Sequence, residues 1–354
     1  MKKTIQIVLA IILTLGLTNN ALAQAAENKI FAKAKKGASA FKFNKEVRYA
    51  TVGLSFNSFN YFGDLAPRPG KVSTDLSFTK IGVGLVGNYR VGSRIFLRGA
   101  FTFGSLEGDD FESADPQQEE SSDRYARNLQ FKNRIYELSA VASVDLFRNR
   151  GFFVRRAPFT PYIFGGLAIF HHNPKAKVPT LDFEGNPLPN AGKWVALQPL
   201  GTEGQNSKNS TIKPYRKIQI SVPFGFGVRA KLNNNFDLAF EVGYRLLFFD
   251  YLDDVSTKMP NYGDLDSNLA RTLSGRAAEQ TAVVSGDNRD PGILATLDQS
   301  TVSYTGSDGK TYTVVSDNNV GAQRGDKNDN DQYIVTSLHL TYVLGSSFRR
   351  PKVR

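Results

Sequence analysis

Three groups of residues have the types and spacing that chemistry requires. Gly82, Gly84 and Gly87 stand in the order G-x-G-x-x-G, which binds a dinucleotide when it closes a strand and opens a helix. His171 and His172 are adjacent and His339 stands alone, offering imidazole as base or metal ligand. Gly325-Asp326-Lys327-Asn328-Asp329-Asn330-Asp331 supplies closely spaced oxygen ligands of the kind calcium takes.

The surrounding elements take that chemistry away. Ile81, Val83, Leu85 and Tyr89 alternate with Gly82, Gly84, Asn88 and Arg90. After a Val91-Gly92-Ser93 turn, Ile95, Leu97, Phe101 and Phe103 alternate with Arg98, Ala100, Thr102 and Gly104. This predicts a β-hairpin. No helix follows the glycines, so no helix N-terminus exists to cradle a pyrophosphate. Gly82 and Gly84 instead suit the inner face of a narrow barrel, with Gly87 on the other face. Neighbouring histidines at a strand end point opposite ways and do not share a metal. The acidic stretch lacks the glycine and terminal glutamate of an EF-hand and reads as a solvated loop. No nucleophile, base and orienter converge. The sequence therefore predicts no catalytic residue, no cofactor and no metal site.

The start of the chain reads as a secretory signal peptide over residues 1–23. Lys2 and Lys3 precede an apolar run from Ile5 to Leu17, and Ala21-Leu22-Ala23 supplies a cleavage site after Ala23. That run is too short for a membrane-spanning helix, and no other is longer. The chain has no cysteine, which excludes disulfides and thiolate metal sites. The formal charge of +11 comes without a zinc, helix-turn-helix or RNA-binding motif, so nucleic acid is not expected as a partner.

The alternation recurs at 47–60, 131–147, 217–230, 236–248 and 332–346, with 160–172 apolar on both faces. About eight strands result, each long enough for a tilted bilayer crossing. Ile218 to Val228 and Phe236 to Phe248 present one uncharged face each. The opposite faces hold Arg98, Glu137, Asp145, Arg229, Glu241 and Arg245. A soluble sandwich also alternates, but here the connections alternate short and long, with long ones at 60–76, 107–130, 173–214 and 251–331. This predicts an all-β transmembrane antiparallel barrel over 47–348, with short periplasmic turns and long outer loops. Eight strands leave no water channel, so the interior charges are expected to pair, Arg98 with Glu241 and Glu137 with Arg245. Pro223 predicts a bulge or a missing bond. Residues 265–280 are a candidate helix within the longest loop.

Charge separates the two ends. The periplasmic side collects a basic segment at 24–46 that includes Lys33, Lys35 and Lys36, then Arg148, Arg150, Arg155 and Arg156 from one turn. Arg349 and Arg350 follow in a basic tail at 349–354. This face suits lipid headgroups or an acidic partner. The loop at 107–130 is acidic.

Several strings add a resemblance. Asn60-Tyr61-Phe62-Gly63-Asp64-Leu65, TPYIFGGLAIFHHNPKA from Thr160, LQPLGTEGQ from Leu197, and Val222-Pro223-Phe224-Gly225 through EVGYRLLFFDYLDDVST ending at Thr257 together resemble the PorG-like outer-membrane barrels of Bacteroidota. The resemblance implies a non-enzymatic outer-membrane component of type IX secretion and gliding machinery, tethering a periplasmic ring of PorK and PorN. It also marks Gly63, Asp64, Leu65, Trp194, Gln198, Gly201, Glu203, Asp250, Asp253 and Asp254 as loop-motif residues. The alternative is a surface-binding or adhesion barrel that uses its long loops; an outer-membrane enzyme is the least favoured reading.

Overall fold

The computed structural model describes residues 48–66, 78–149, 153–208 and 210–344. The signal peptide and Lys33, Lys35, Lys36, Arg150, Arg349 and Arg350 lie outside the described residues. The strands are β1 (Tyr49–Phe62), β2 (Lys80–Arg90), β3 (Ile95–Asp109), β4 (Gln130–Asp145), β5 (Phe159–His171), β6 (Pro174–Lys177), β7 (Trp194–Ala196), β8 (Ile218–Lys231), β9 (Phe236–Leu246), β10 (Thr301–Thr305), β11 (Thr311–Val315) and β12 (Gln332–Val343). Among the described residues four short helices join them: α1 (Asp110–Ser113), α2 (Glu119–Arg127), α3 (Asn268–Ser274) and α4 (Pro291–Gln299).

Eight long strands run antiparallel in the order β1, β2, β3, β4, β5, β8, β9, β12. The sheet closes because β12 pairs back onto β1, from Thr51 opposite Val343 to Phe62 opposite Gln332. The fold is thus the closed eight-stranded barrel that the alternation predicts. At Pro223 the ladder between β5 and β8 is interrupted, pairing Gly165 with Phe224 and Ala168 with Ser221 but nothing between. The register is the same on both sides, so the missing N–H removes rungs without inserting a residue.

Strand parity decides what faces out. Phe56, Leu85, Phe101, Leu138, Leu167, Phe226, Phe240 and Leu340 all stand exposed on the outer wall. Burying one such side chain is worth about 1.5–3 kcal/mol, so a continuous belt of them left in water is untenable and hydrocarbon is its natural solvent. Among the described residues no helix is long and apolar enough to cross a membrane; the strands carry the belt. Inside, a Cβ on Gly82 would lie 2.4 Å from the Phe103 carbonyl oxygen, and one on Gly84 2.6 Å from that of Phe101. Gly87 faces outward, where a Cβ would meet nothing nearer than the Gly99 carbonyl oxygen at 4.0 Å. Two glycines of the motif are therefore steric requirements of a narrow lumen.

Short turns close one end of the barrel and the long connections gather at the other. The longest is not an open loop. It folds into α3, α4 and the hairpin of β10 with β11, over a core of Met259, Tyr262, Leu265, Ala270, Tyr312 and Val314. The helix expected over 265–280 occupies only Asn268–Ser274, started by Ser267, whose hydroxyl accepts from the Ala270 N–H. Together these elements form a cap over the barrel mouth.

Candidate functional site

The lumen is filled in layers. At the turn end Tyr49, Phe96 and Val343 pack together. Above them Asp145 lies 3.1 Å from Arg229 and 3.4 Å from Arg90, and the Arg229 guanidinium covers the Phe96 and Tyr162 rings. In the next layer Arg98 pairs with Glu241, which also accepts from the Tyr162 hydroxyl; His339 stands 3.5 Å from the same carboxylate. Higher still, Arg245 holds Glu137 in a two-point contact at 3.1 and 3.2 Å, and Tyr333 donates to Glu137 at 2.8 Å. The six interior charges named from the sequence thus face one another in three layers. Sequence reasoning left Asp145 without a partner, and Arg90 at the inward parity of β2 was the available signal. A void of about 20 Å³ beside Arg98, Glu241, Arg245 and His339 has room for about one water molecule.

The outer end of the lumen is closed by Phe59, Tyr61, Phe131, Ile135, Phe170, Leu252 and Tyr333. Against this layer sits a set of carboxylates. The Tyr61 hydroxyl lies 2.7 Å from Asp253 Oδ2 and 2.6 Å from Asp331 Oδ1. Asp331 also accepts from the Leu252 N–H at 2.6 Å, and Asp253 from the Val255 N–H at 2.8 Å. A tyrosine has one proton and ionised carboxylates only accept, so one of the two carboxyls must be protonated for both contacts to bond. Burial first, then the charge of Asp64, pushes Asp253 up. Burial and the charges of Asp253 and Asp250 push Asp331 up in the same way. Asp250 is buried beside Ser256, and burial followed by the Asp253 charge raises it too. The Arg127 charge reaches Asp253, but Arg127 is already bound to Asp110 at 2.8 and 2.9 Å and to the Asp64 carbonyl at 2.8 Å.

Behind these carboxylates, the loop motifs pack on one another. Glu203 Oε1 accepts from the Ser256 and Thr257 N–H groups and from Arg324, at 2.9, 3.0 and 2.8 Å. Its Oε2 accepts from the Thr257 hydroxyl at 2.7 Å and the Tyr251 hydroxyl at 3.2 Å. Asp254, at a φ of 74°, accepts from Thr202 and, at 2.6 Å, from Tyr215; burial, opposed by Arg324, pushes it up to about 6. Gly201 takes the left-handed turn before Thr202, and Gln198 donates to the Tyr215 carbonyl at 3.2 Å. The motifs at 197–205 and 250–257 are therefore two halves of one buried knot. Gly63 and Asp64 approach it from β1, Leu65 is buried in the barrel-mouth core, and Trp194 lies at the rim under the Lys132 ammonium. Arg324 is central, yet no local pattern marks it.

At the turn end, Arg148 and Arg155 are exposed. Arg156, grouped with them on sequence, is not available for docking. It is buried, pairs with Asp237 at 2.8 Å and donates to the carbonyls of Phe153, Asn233 and Asn234, stapling two turns together. His171 faces out and His172 inward. Burial pushes His172 down to about 4, and its ring stacks on Tyr215. In the acidic stretch Asp331 belongs to the carboxylates around the Tyr61 hydroxyl and the Asp326 N–H donates to Asp64. Among the described residues no group of three or more His, Asp or Glu side chains is set to hold a metal ion.

Residues 39–178 match the model of a domain of unknown function, DUF6089, a span that covers β1 through β6 and less than half of the chain. No curated protein matches it. Similar solved structures include Neisserial surface protein A, 10% identical over 83% of this chain and 96% of that one, at a TM-score of 0.30. Ail, the attachment invasion locus protein of Yersinia pestis, is 8% identical over 84% and 97% at 0.31. The outer membrane protein OprG of Pseudomonas aeruginosa is 9% identical over 86% and 100% at 0.33. The closed ladder, rather than these loose likenesses, establishes the architecture.

Proposed function

We propose that this chain is a non-enzymatic outer-membrane barrel that anchors a periplasmic assembly, as a component of a type IX secretion-like machine holding a ring of PorK- and PorN-like proteins. The observation that carries the non-conducting, structural part of this reading is the filled lumen. Three charged layers and an aromatic layer leave no path for a solute, so the barrel's surfaces do its work. The family-like strings at 60–65, 160–176, 197–205 and 222–257 support the secretion part. Arg148 and Arg155, exposed beside the stapled turns, are the described part of the docking face.

Crosslinking and affinity recovery of the tagged barrel from native outer membranes tests this reading. Arg148→Glu with Arg155→Glu is expected to weaken recovery of a periplasmic ring protein while barrel yield stays unchanged. Recovery of cell-surface proteins alone would favour the second reading, a surface-binding barrel. The folded cap supports that alternative with an open cleft of about 600 Å³ between the segments around Val178–Phe183 and Ala278–Val283.

A further inference from the structure

On the outer wall of the barrel the apolar belt ends unevenly. The outward positions of β1, β2, β9 and β12 carry no charged residue along their length. On β4 the outward row instead runs up from Leu138 and Tyr136 to Arg134 and Lys132. The register sets Tyr136 opposite His171, Lys132 opposite Lys175, and His171 opposite Ile218. Arg216, two residues before Ile218, is exposed at the same height. Arg134, Lys175 and Arg216 thus gather on one sector, directly above exposed Phe103, Tyr136, Ile169 and Ile218.

These cations are not neutralised from within. Glu107 is the acid of the sector, and both its oxygens are taken, by Lys80 and Lys132 at 2.7 Å each. Arg134, Lys175 and Arg216 have no carboxylate partner among the described residues. Basic side chains that merely anchor a barrel ring it at the interface; these occupy one side. They are spread over β4, β5 with its extension β6, and the entry to β8, a width of about 10 Å at ordinary strand spacing. Two separated phosphates match that spread without the three side chains having to converge on one point.

The geometry points to a binding site on this wall for a phosphorylated glycolipid of the outer leaflet. Arg134, Lys175 and Arg216 hold its phosphates, and its acyl chains lie along Phe103, Tyr136 and Ile169. The site rests on the outer-membrane reading with the cap facing the cell exterior.

Native mass spectrometry of the detergent-solubilised full chain tests it, with lipid A bearing two phosphates, fully dephosphorylated lipid A and phosphatidylglycerol as probes. Wild type is expected to retain the bisphosphorylated lipid in preference to the other two. The Arg134→Gln/Lys175→Gln/Arg216→Gln variant should lose about 100-fold in that retention, as removal of three surface cations implies. Equal retention of the dephosphorylated form or of phosphatidylglycerol, unchanged retention by the variant, or displacement of the lipid by millimolar sodium phosphate would each overturn the site. Heat-modifiable migration on gels shows that the variant is folded, and Arg134→Lys/Arg216→Lys, which keeps the charge, should retain the lipid. Protease cleavage of the Leu181 to Pro187 hairpin on intact cells reads cap orientation separately, so a failure of the topology is distinguished from a failure of the lipid site.

Discussion

Tyr61 and Asp331 lie 2.6 Å apart through hydroxyl and carboxyl, 270 residues apart in the chain. With Asp253 on the other side of the same hydroxyl, the contact ties β1 to the segment after β9 and the segment before β12. It is a clasp on the barrel mouth held by shared protons.

The clasp makes the cap pH-sensitive. Asp253, Asp331 and Asp250 are all raised in the folded state, so the fold binds more protons than the unfolded segment once pH exceeds the ordinary carboxylate value of about 4. Their contribution is complete below that value and is lost as pH rises through the raised values. Asp64, Asp326 and Glu203 add negative charge nearby, and Arg127 and Arg324 oppose it. Hydrogen exchange of residues 250–257 is expected to be slow at pH 5 and faster at pH 9, beyond the intrinsic rate change. Asp331→Asn, which cannot ionise, should flatten the difference; an unchanged profile in that variant would show that another group controls the opening.

The Glu203 and Arg324 pair should be sensitive to removal of either partner. Arg324→Met leaves Glu203 and Asp254 buried without their cation, at a cost of about 3–5 kcal/mol, whereas Glu203→Gln leaves Arg324 with Asp254 at 3.8 Å and costs less. The loss falls on the cap alone. Limited proteolysis is expected to cut within 258–325 in these variants while the barrel keeps its heat-modifiable migration.

The glycine motif separates sterics from ligand binding. Gly82→Ala places a methyl against the Phe103 carbonyl and the Phe59 ring, at about 1–3 kcal/mol for an overpacked site. Gly87→Ala meets nothing nearer than the Gly99 carbonyl oxygen at 4.0 Å and should be neutral. Urea unfolding of the refolded barrel measures both, and equal effects would refute the lumen-packing account.

Wild-type barrel in planar bilayers should show no porin-scale conductance steps. Single variants that break the Arg245 to Glu137 contact are expected to lose stability by about 3–5 kcal/mol, with a smaller loss in Glu137→Gln/Arg245→Met, where both charges are gone. A double-mutant cycle by urea unfolding reads the coupling. Steady porin-like currents in wild type would contradict the filled lumen.

The sequence by itself determined the barrel, because a strand between lipid and a narrow lumen must alternate at period two, and that pattern is local. Val83 against Gly84, or Phe240 against Glu241, reports its own face without reference to the rest of the chain. The same parity made Arg98 with Glu241 and Glu137 with Arg245 legible as interior pairs. Only the tertiary structure decided the cap. Glu203, Asp254 and Arg324 meet across 121 and 70 residues, and no periodicity reports such a contact, since loop side chains are placed by what closes over them. The same reason withdrew Arg156 from the docking face. Its charge was visible in the sequence, but Asp237, which neutralises it, is brought beside it only when the two turns fold together.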